Sequence, residues 1–320
     1  MTRTKARRST ASRTVSAVRG RRTGRAASLF FPGFETRRVR VSGGVTIHLV
    51  AGGSGPPLLL LHGYPQTHVE WHRVAPALAE RYTVVCPDLR GYGDSSKPKG
   101  LPDHSNYSKR VMADDMVEVM RKLGHDGFDL VGHDRGGRVA HRMGRDHGPR
   151  VVKSITAIDI APTLKMYEST DMAFARAYYH WFLMLQPAPL AERMLQPVVP
   201  YHILGGLSGK GLKAFTKAAL AEYVRAFSDP RTVHATCEDY RAAGSIDLEH
   251  DRADRGRKIA MPLLVMWGRQ GVVGKQFDCL ATWREVAENV TGREIDCGHF
   301  IPEEAPAETL AAISDFLDRR

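Results

Sequence analysis

Two kinds of apolar pattern alternate along the chain. Short continuous runs at Leu58–Leu61, Tyr82–Cys86, Phe128–Val131, Val151–Ile158 and Leu263–Trp267 have no polar face. They read as strands buried on both sides. Between them lie helical periodicities. The clearest covers Ser108–Leu123, where Met112, Met116, Val119, Met120 and Leu123 share one face and Gly124 stops the helix. Ahead of the first run, Arg37–Ser42 and Val45–Val50 alternate as a hairpin does, with Gly43-Gly44 as its turn. Strands alternating with helices predict an α/β fold: a mostly parallel sheet covered by helices on both faces.

The alternation stops between about Pro162 and Lys258. That stretch reads as helical and carries Tyr167, Phe174, Tyr178, Tyr179, Trp181 and Phe182. An insertion at this point, after the sixth strand, would fold over the carboxyl ends of the strands, where pockets of open α/β sheets lie. The expected organisation is a basic tail over 1–28, a first core segment over 29–161, a helical cap over 162–258 and a second core segment over 259–320.

The charge of +11 changes the picture less than its size suggests. Nine basic residues and no acid fall within residues 1–28; removing those nine from the 46 basic residues leaves 37 against 35 acidic. The tail has almost nothing to bury, so disorder is expected there. It reads as a solvated extension, a transit-like targeting segment or a polyanion-binding arm. The remainder gives no reason to expect nucleic acid as a partner. No apolar run approaches the ~18–20 residues of a membrane helix, so no membrane partner is expected either. Four scattered cysteines, with no CxxC pair, favour a reducing compartment and a cytoplasmic location.

The chemistry concentrates in three strings. In Phe128-Asp-Leu-Val-Gly132-His133-Asp134-Arg135-Gly136-Gly137 a buried strand enters a glycine-flanked turn and then a helix. This is the G-x-S-x-G nucleophile elbow with aspartate in the serine position. An ordinary aspartate is ionised without the help of a base, so Asp134 could attack an electrophilic carbon and form an ester. The bland reading is a helix-capping aspartate. Directly after the strand Leu58–Leu61 stands His62-Gly63-Tyr64-Pro65. At that place the backbone N–H of Tyr64 would join that of Arg135 in an oxyanion hole. Near the C-terminus, Asp296-Cys297-Gly298-His299-Phe300 offers His299 as base, in the chain order nucleophile, acid, histidine. The loop after the seventh strand, Trp267-Gly268-Arg269-Gln270-Gly271, has glycine where an acid could stand. Asp159, at the end of the sixth strand, is therefore the expected acid, with Asp278 as the lesser candidate.

These strings, together with HGYPQTHVEWHRVAP, DLRGYGDSSKP, GHDRGGRVAHRM, DIAPT, ARAYYHW and DYRA, resemble the α/β-hydrolase superfamily and, within it, the haloacetate (fluoroacetate) dehalogenases. The resemblance runs from about Phe34 to the C-terminus and implies the α/β-hydrolase fold, with an eight-stranded, mostly parallel sheet and a helical cap inserted after its sixth strand. It implies that Arg135 and Arg138 hold a substrate carboxylate, and that His180, Trp181 and Tyr240 bind the leaving halide. Asp88, Arg90, Gly91 and Gly93 match as well and read as loop architecture. The implied reaction converts a small anionic haloacid to glycolate and halide through an ester on Asp134, with no metal and no organic cofactor. A homodimer is compatible with it. The alternative is an epoxide hydrolase using the same aspartate, with Tyr178, Tyr179, Tyr201, Tyr223 or Tyr240 as acid. A small-molecule receptor on the same fold is the non-enzymatic alternative. The stretch Val198–Leu220 does not align with the family.

Overall fold

The computed structural model describes residues 27–207 and 212–320. The expected disorder of the basic tail falls almost entirely on residues 1–26, outside the described residues.

Eight strands form one sheet: β1 (Glu35–Arg40), β2 (Thr46–Gly52), β3 (Pro57–Leu61), β4 (Thr83–Pro87), β5 (Phe128–His133), β6 (Val152–Ile158), β7 (Leu263–Gly268) and β8 (Val290–Ile295). Their spatial order is β1-β2-β4-β3-β5-β6-β7-β8. The β1–β2 and β2–β4 pairings are antiparallel and every other pairing is parallel. The centre and the edges differ as burial demands. All of β5 is buried and Leu58–Leu61 of β3 are fully so, which is why they read as unbroken apolar runs. At the edges, β1 and β8 are largely exposed and carry charge. The β1–β2 turn closes with Val41 N–H donating to the Val45 carbonyl at 2.8 Å. Gly43 and Gly44 there have φ of 68° and 75°, a region that favours glycine.

The helix expected over Ser108–Leu123 runs from Lys109 to Lys122. The Ser108 hydroxyl accepts from Val111 N–H at its start, and Gly124 follows its end with φ of 92°. It lies along the helix Asp134–Val151, which leaves β5 and packs on β5 and β6.

Between β6 and β7 the described residues hold helices and no strand. Their main members are Met172–Ala177, Tyr179–Met184, Leu190–Leu195, Val199–Leu207, Lys217–Phe227 and Pro230–Ala243. Among the described residues no helix is long and apolar enough to cross a membrane. The four cysteines are buried and form no disulfide.

Candidate active site

Four sequence-predicted residues stand just beyond the carboxyl ends of β3, β5, β6 and β8: Tyr64, Asp134, Asp159 and His299. The turns that hold them are too tight for side chains at certain glycines. A Cβ on Gly132 would come within 2.5 Å of the Gly136 carbonyl oxygen, and one on Gly136 within 2.3 Å of that of Leu61. Asp134 and Asp159 have φ of 44° and 47°, the left-handed region that costs a non-glycine residue about 1–3 kcal/mol. The surrounding structure imposes that strain on two of the three expected catalytic groups.

The Asp134 carboxylate accepts the Tyr64 N–H at 2.9 Å through Oδ1. Burial alone would raise its pKa, but His299, Arg138, Arg135 and His133 together hold it down to about 2. Asp134 is therefore an anion at any physiological pH. His299 Nδ1 lies 2.5 Å from Asp159 Oδ2, and the other Asp159 oxygen accepts the Gly268 N–H at 2.9 Å. Asp278, the lesser candidate, is instead the cap of the helix Cys279–Arg284, accepting from Ala281 N–H at 2.9 Å.

Asp134 and His299 open into one cavity of about 360 Å³, bordered also by Tyr64, Tyr178, Tyr179, His180, His202, Tyr240 and Gly271. The His180 ring is stacked 5.7 Å from that of Tyr64. Burial pushes the His180 imidazole down to about 3, so it is neutral and keeps one N–H to donate. Trp181, Arg135 and Arg138 stand behind this wall. The Arg135 guanidinium lies 4.1 Å from the centre of the Tyr240 ring, and that of Arg138 lies 4.6 Å from that of Trp181. Both arginines are almost wholly buried.

Arg135 donates to both oxygens of Asp239, each at 2.8 Å, and its Nη1 has no partner. Arg138 donates to the Ala161 carbonyl at 3.2 Å and to Thr163 Oγ1 at 3.1 Å, and its Nε has no partner. A buried donor without an acceptor costs about 1–3 kcal/mol. Each arginine thus keeps one donor nitrogen unused, Nη1 of Arg135 and Nε of Arg138, behind the residues that border the cavity.

Sequence reading missed the supports of this site. Glu70 accepts the Gly63 N–H at 2.9 Å through one oxygen and lies 3.0 Å from His133 Nδ1 through the other. His133 Nε2 in turn lies 2.9 Å from the His299 carbonyl oxygen. One glutamate therefore braces the loop before Tyr64 and, through His133, the backbone of His299. Burial opposes charge on His133, but Glu70 and the nearby Asp134 and Asp159 raise its pKa to about 9. Glu304 clamps the same loop, accepting from Gly298 and Phe300 N–H. Glu70 stands among His68, His72 and Arg73, so no apolar pattern marks it in the sequence.

Two side-chain clusters come within ligand distance of one another among the described residues: His48–His68–Asp88 and Glu192–His234–Glu238. In the first, both Asp88 oxygens already accept from His48, His68 and two backbone N–H groups, which makes it the brace of the loop after β4. In the second, Arg241 donates to both glutamates.

Comparison with known proteins places the chain in a family. Residues 56–306 match the family model described as alpha/beta hydrolase fold. A fluoroacetate dehalogenase of Burkholderia sp is 48 % identical over 290 residues, covering 90 % of this chain and 95 % of the relative. The chain belongs to the α/β-hydrolase superfamily and, within it, to the haloacetate dehalogenase family. A second relative of this hydrolase, a soluble epoxide hydrolase of Corynebacterium sp. (strain C12), is 36 % identical over 82 % of the chain and 90 % of its own length. The crystal structure of an alpha/beta hydrolase from Nostoc sp PCC 7120 superimposes with a TM-score of 0.88 at 56 % identity, covering 90 % of this hydrolase and 99 % of that chain.

Proposed function

We propose that this hydrolase removes the halide from a small 2-haloacid such as haloacetate. The observation that carries the reading is the pair of buried arginines next to an ionised Asp134, each with one donor left over. That arrangement suits a substrate that brings its own carboxylate.

Asp134 attacks the carbon next to the substrate carboxylate and displaces halide, leaving an ester on its own side chain. Arg135 and Arg138 hold the substrate carboxylate, and His180, Trp181 and Tyr240 donate to the departing halide. His299, oriented by Asp159, then takes a proton from water, which attacks the ester carbonyl. The N–H groups of Tyr64 and Arg135 stabilise the tetrahedral oxyanion, each donor typically contributing ~3 kcal/mol. Collapse releases glycolate and regenerates Asp134. In this reading 162–258 is a cap that supplies the halide donors, while 29–161 and 259–320 supply the nucleophile, acid and base.

The epoxide hydrolase alternative is supported by the Corynebacterium relative and by two of its five candidate acids. Tyr178 and Tyr240 border the cavity, and among the described residues no hydrogen bond fixes either hydroxyl. Tyr201 is 83 % exposed, and Tyr223 is engaged with Glu303. The arginine pair weighs against a neutral epoxide.

Halide release from chloroacetate and fluoroacetate, run beside diol formation from styrene oxide, separates the two. Wild-type protein should release halide, Asp134→Asn should lose at least ~10³-fold, and His299→Ala should accumulate an ester on Asp134 detectable by mass. Diol formation without halide release would replace the dehalogenase reading with its rival.

A further inference from the structure

The catalytic cavity does not end where a two-carbon acid ends. Four of its bordering residues, Tyr179, His202, Gly205 and Gly206, also border a groove of about 780 Å³ on the outer side of the cap. The rest of that groove is apolar: Leu183, Met194, Leu195, Val198, Tyr201 and Leu204. Tyr179, Met194, Val198 and Tyr201 are among the large apolar side chains that stand exposed on this protein. Contiguous exposed apolar surface of this kind marks a binding surface.

The helix Val199–Leu207 explains how it arises. Val199, Ile203 and Leu207, four residues apart, are buried, while Tyr201 and Leu204 take the outer side. His202 forms the partition between cavity and groove. Its Nε2 lies 2.6 Å from the Tyr64 hydroxyl, and its Nδ1 lies 3.5 Å from that of Tyr179. Beside it the wall is low. A Cβ on Gly206 would meet nothing within 4 Å.

We infer that the groove is a second substrate subsite, which takes the hydrocarbon chain carried on C2 of a long-chain 2-halocarboxylic acid. The inference rests on the dehalogenase reading: the carboxylate sits at the Arg135–Arg138 pair, and the chain leaves past His202 and Gly206 into the groove. The cavity of about 360 Å³ is in the size range that fills around a drug-sized ligand, well beyond what haloacetate occupies. Continuity with that cavity, and the absence of any charged residue among the described side chains that border the groove, select an apolar chain as its occupant.

The probes are acetate and octanoate, unreactive carboxylates with the same head and different chains. Their binding is measured by calorimetry and by inhibition of chloroacetate turnover. Octanoate should bind at least ~10-fold more tightly than acetate, the effect of about two buried methylenes. Met194→Glu, which alters an exposed groove residue remote from the catalytic groups, should weaken octanoate about 10-fold. It should leave acetate binding and chloroacetate turnover within twofold. Equal affinity for the two acids, or a chain-length preference untouched by Met194→Glu, overturns the subsite. So does a halving of the particle mass by that variant in sedimentation, which would make the groove an interface between two copies. Tight, groove-dependent octanoate binding without turnover of any haloacid would keep the subsite and refute the dehalogenase reading instead.

Discussion

The sheet and the helical segment over it are built on different principles. In the sheet, position is dictated by backbone: continuous apolar strands leave no choice of face, and Gly132 and Gly136 sit where a Cβ cannot fit. In the segment between β6 and β7, short helices are held by side chains, and much of that hold is ionic. Asp239, on the helix Pro230–Ala243, accepts from Arg135, Lys109 and Tyr92 of the sheet's own helices and loops. Under the proposed function, the comparison teaches that a rigid frame presents the nucleophile while a polar, side-chain-fastened layer decides what reaches it.

The largest expected effect comes from cutting that fastening. The Asp239 carboxylate is fully buried; burial would raise its pKa, yet Arg135 and Lys109 hold it well below the usual carboxylate range. Asp239→Ala would leave the buried Arg135 without its counter-charge and Lys109 with Asp247 alone, 3.6 Å away. A buried pair broken on one side typically costs 3–5 kcal/mol. Urea denaturation should show a loss in that range, and KM for chloroacetate should rise because Arg135 loses its orientation. A loss under ~1 kcal/mol would mean the cap is held by packing alone.

The same contrast decides what could be read from the sequence. β3 and β5 were legible because burial on both faces leaves unbroken apolar runs, and the elbow was legible because its glycines are fixed by close approach. Asp159 was legible because an acid in an apolar strand end needs a partner, and the structure supplies one in His299. The Arg135–Asp239 pair was not, since its members lie 104 residues apart and nothing local marks either as the other's partner. Helix Val199–Leu207 was hidden for another reason. Its exposed apolar side chains blur the stripe that periodicity detects, and Gly205-Gly206 lowers its helix propensity. The features hardest to read are those that depend on tertiary partners or on surface left open for a ligand.

A smaller effect is expected at a second seam. Tyr223 of the cap donates to Glu303, which also accepts from Gln66 Nε2 at 3.4 Å. Burial pushes the Glu303 carboxyl up to about 8. Folded protein thus holds a proton that the unfolded chain releases near pH 4.3. This contribution to stability is complete below that pH and is lost as pH rises through about 8. His133, raised to about 9, adds a contribution complete below about 6.5 and lost through 9. Thermal midpoints should therefore fall by several degrees between pH 6 and 9, and Glu303→Gln should flatten part of that slope. A wild-type midpoint that stays level across this range would contradict the protonated seam.

The smallest effect discriminates most sharply between the two regions. Ser108 caps the helix Lys109–Lys122 beneath the site, and Thr216 caps the helix Lys217–Phe227 above it, accepting from Ala219 N–H at 3.1 Å. Removing either hydroxyl should cost ~1 kcal/mol, the usual worth of an N-cap. The two helices differ in what they touch. Phe227, at the end of the upper helix, packs 5.4 Å from the Tyr64 ring in the cavity wall. Ser108→Ala should therefore lower stability, leave kcat unchanged and move KM less than Thr216→Ala does, because its helix reaches the site indirectly, through Lys109 and Asp239. Thr216→Ala, at equal cost in stability, should raise KM about two- to threefold with kcat preserved, because loosening that helix lets the wall move without disturbing Asp134. If both variants shifted KM alike, the division between a frame that reacts and a layer that selects would not hold, since damage to either would reach the substrate by the same route.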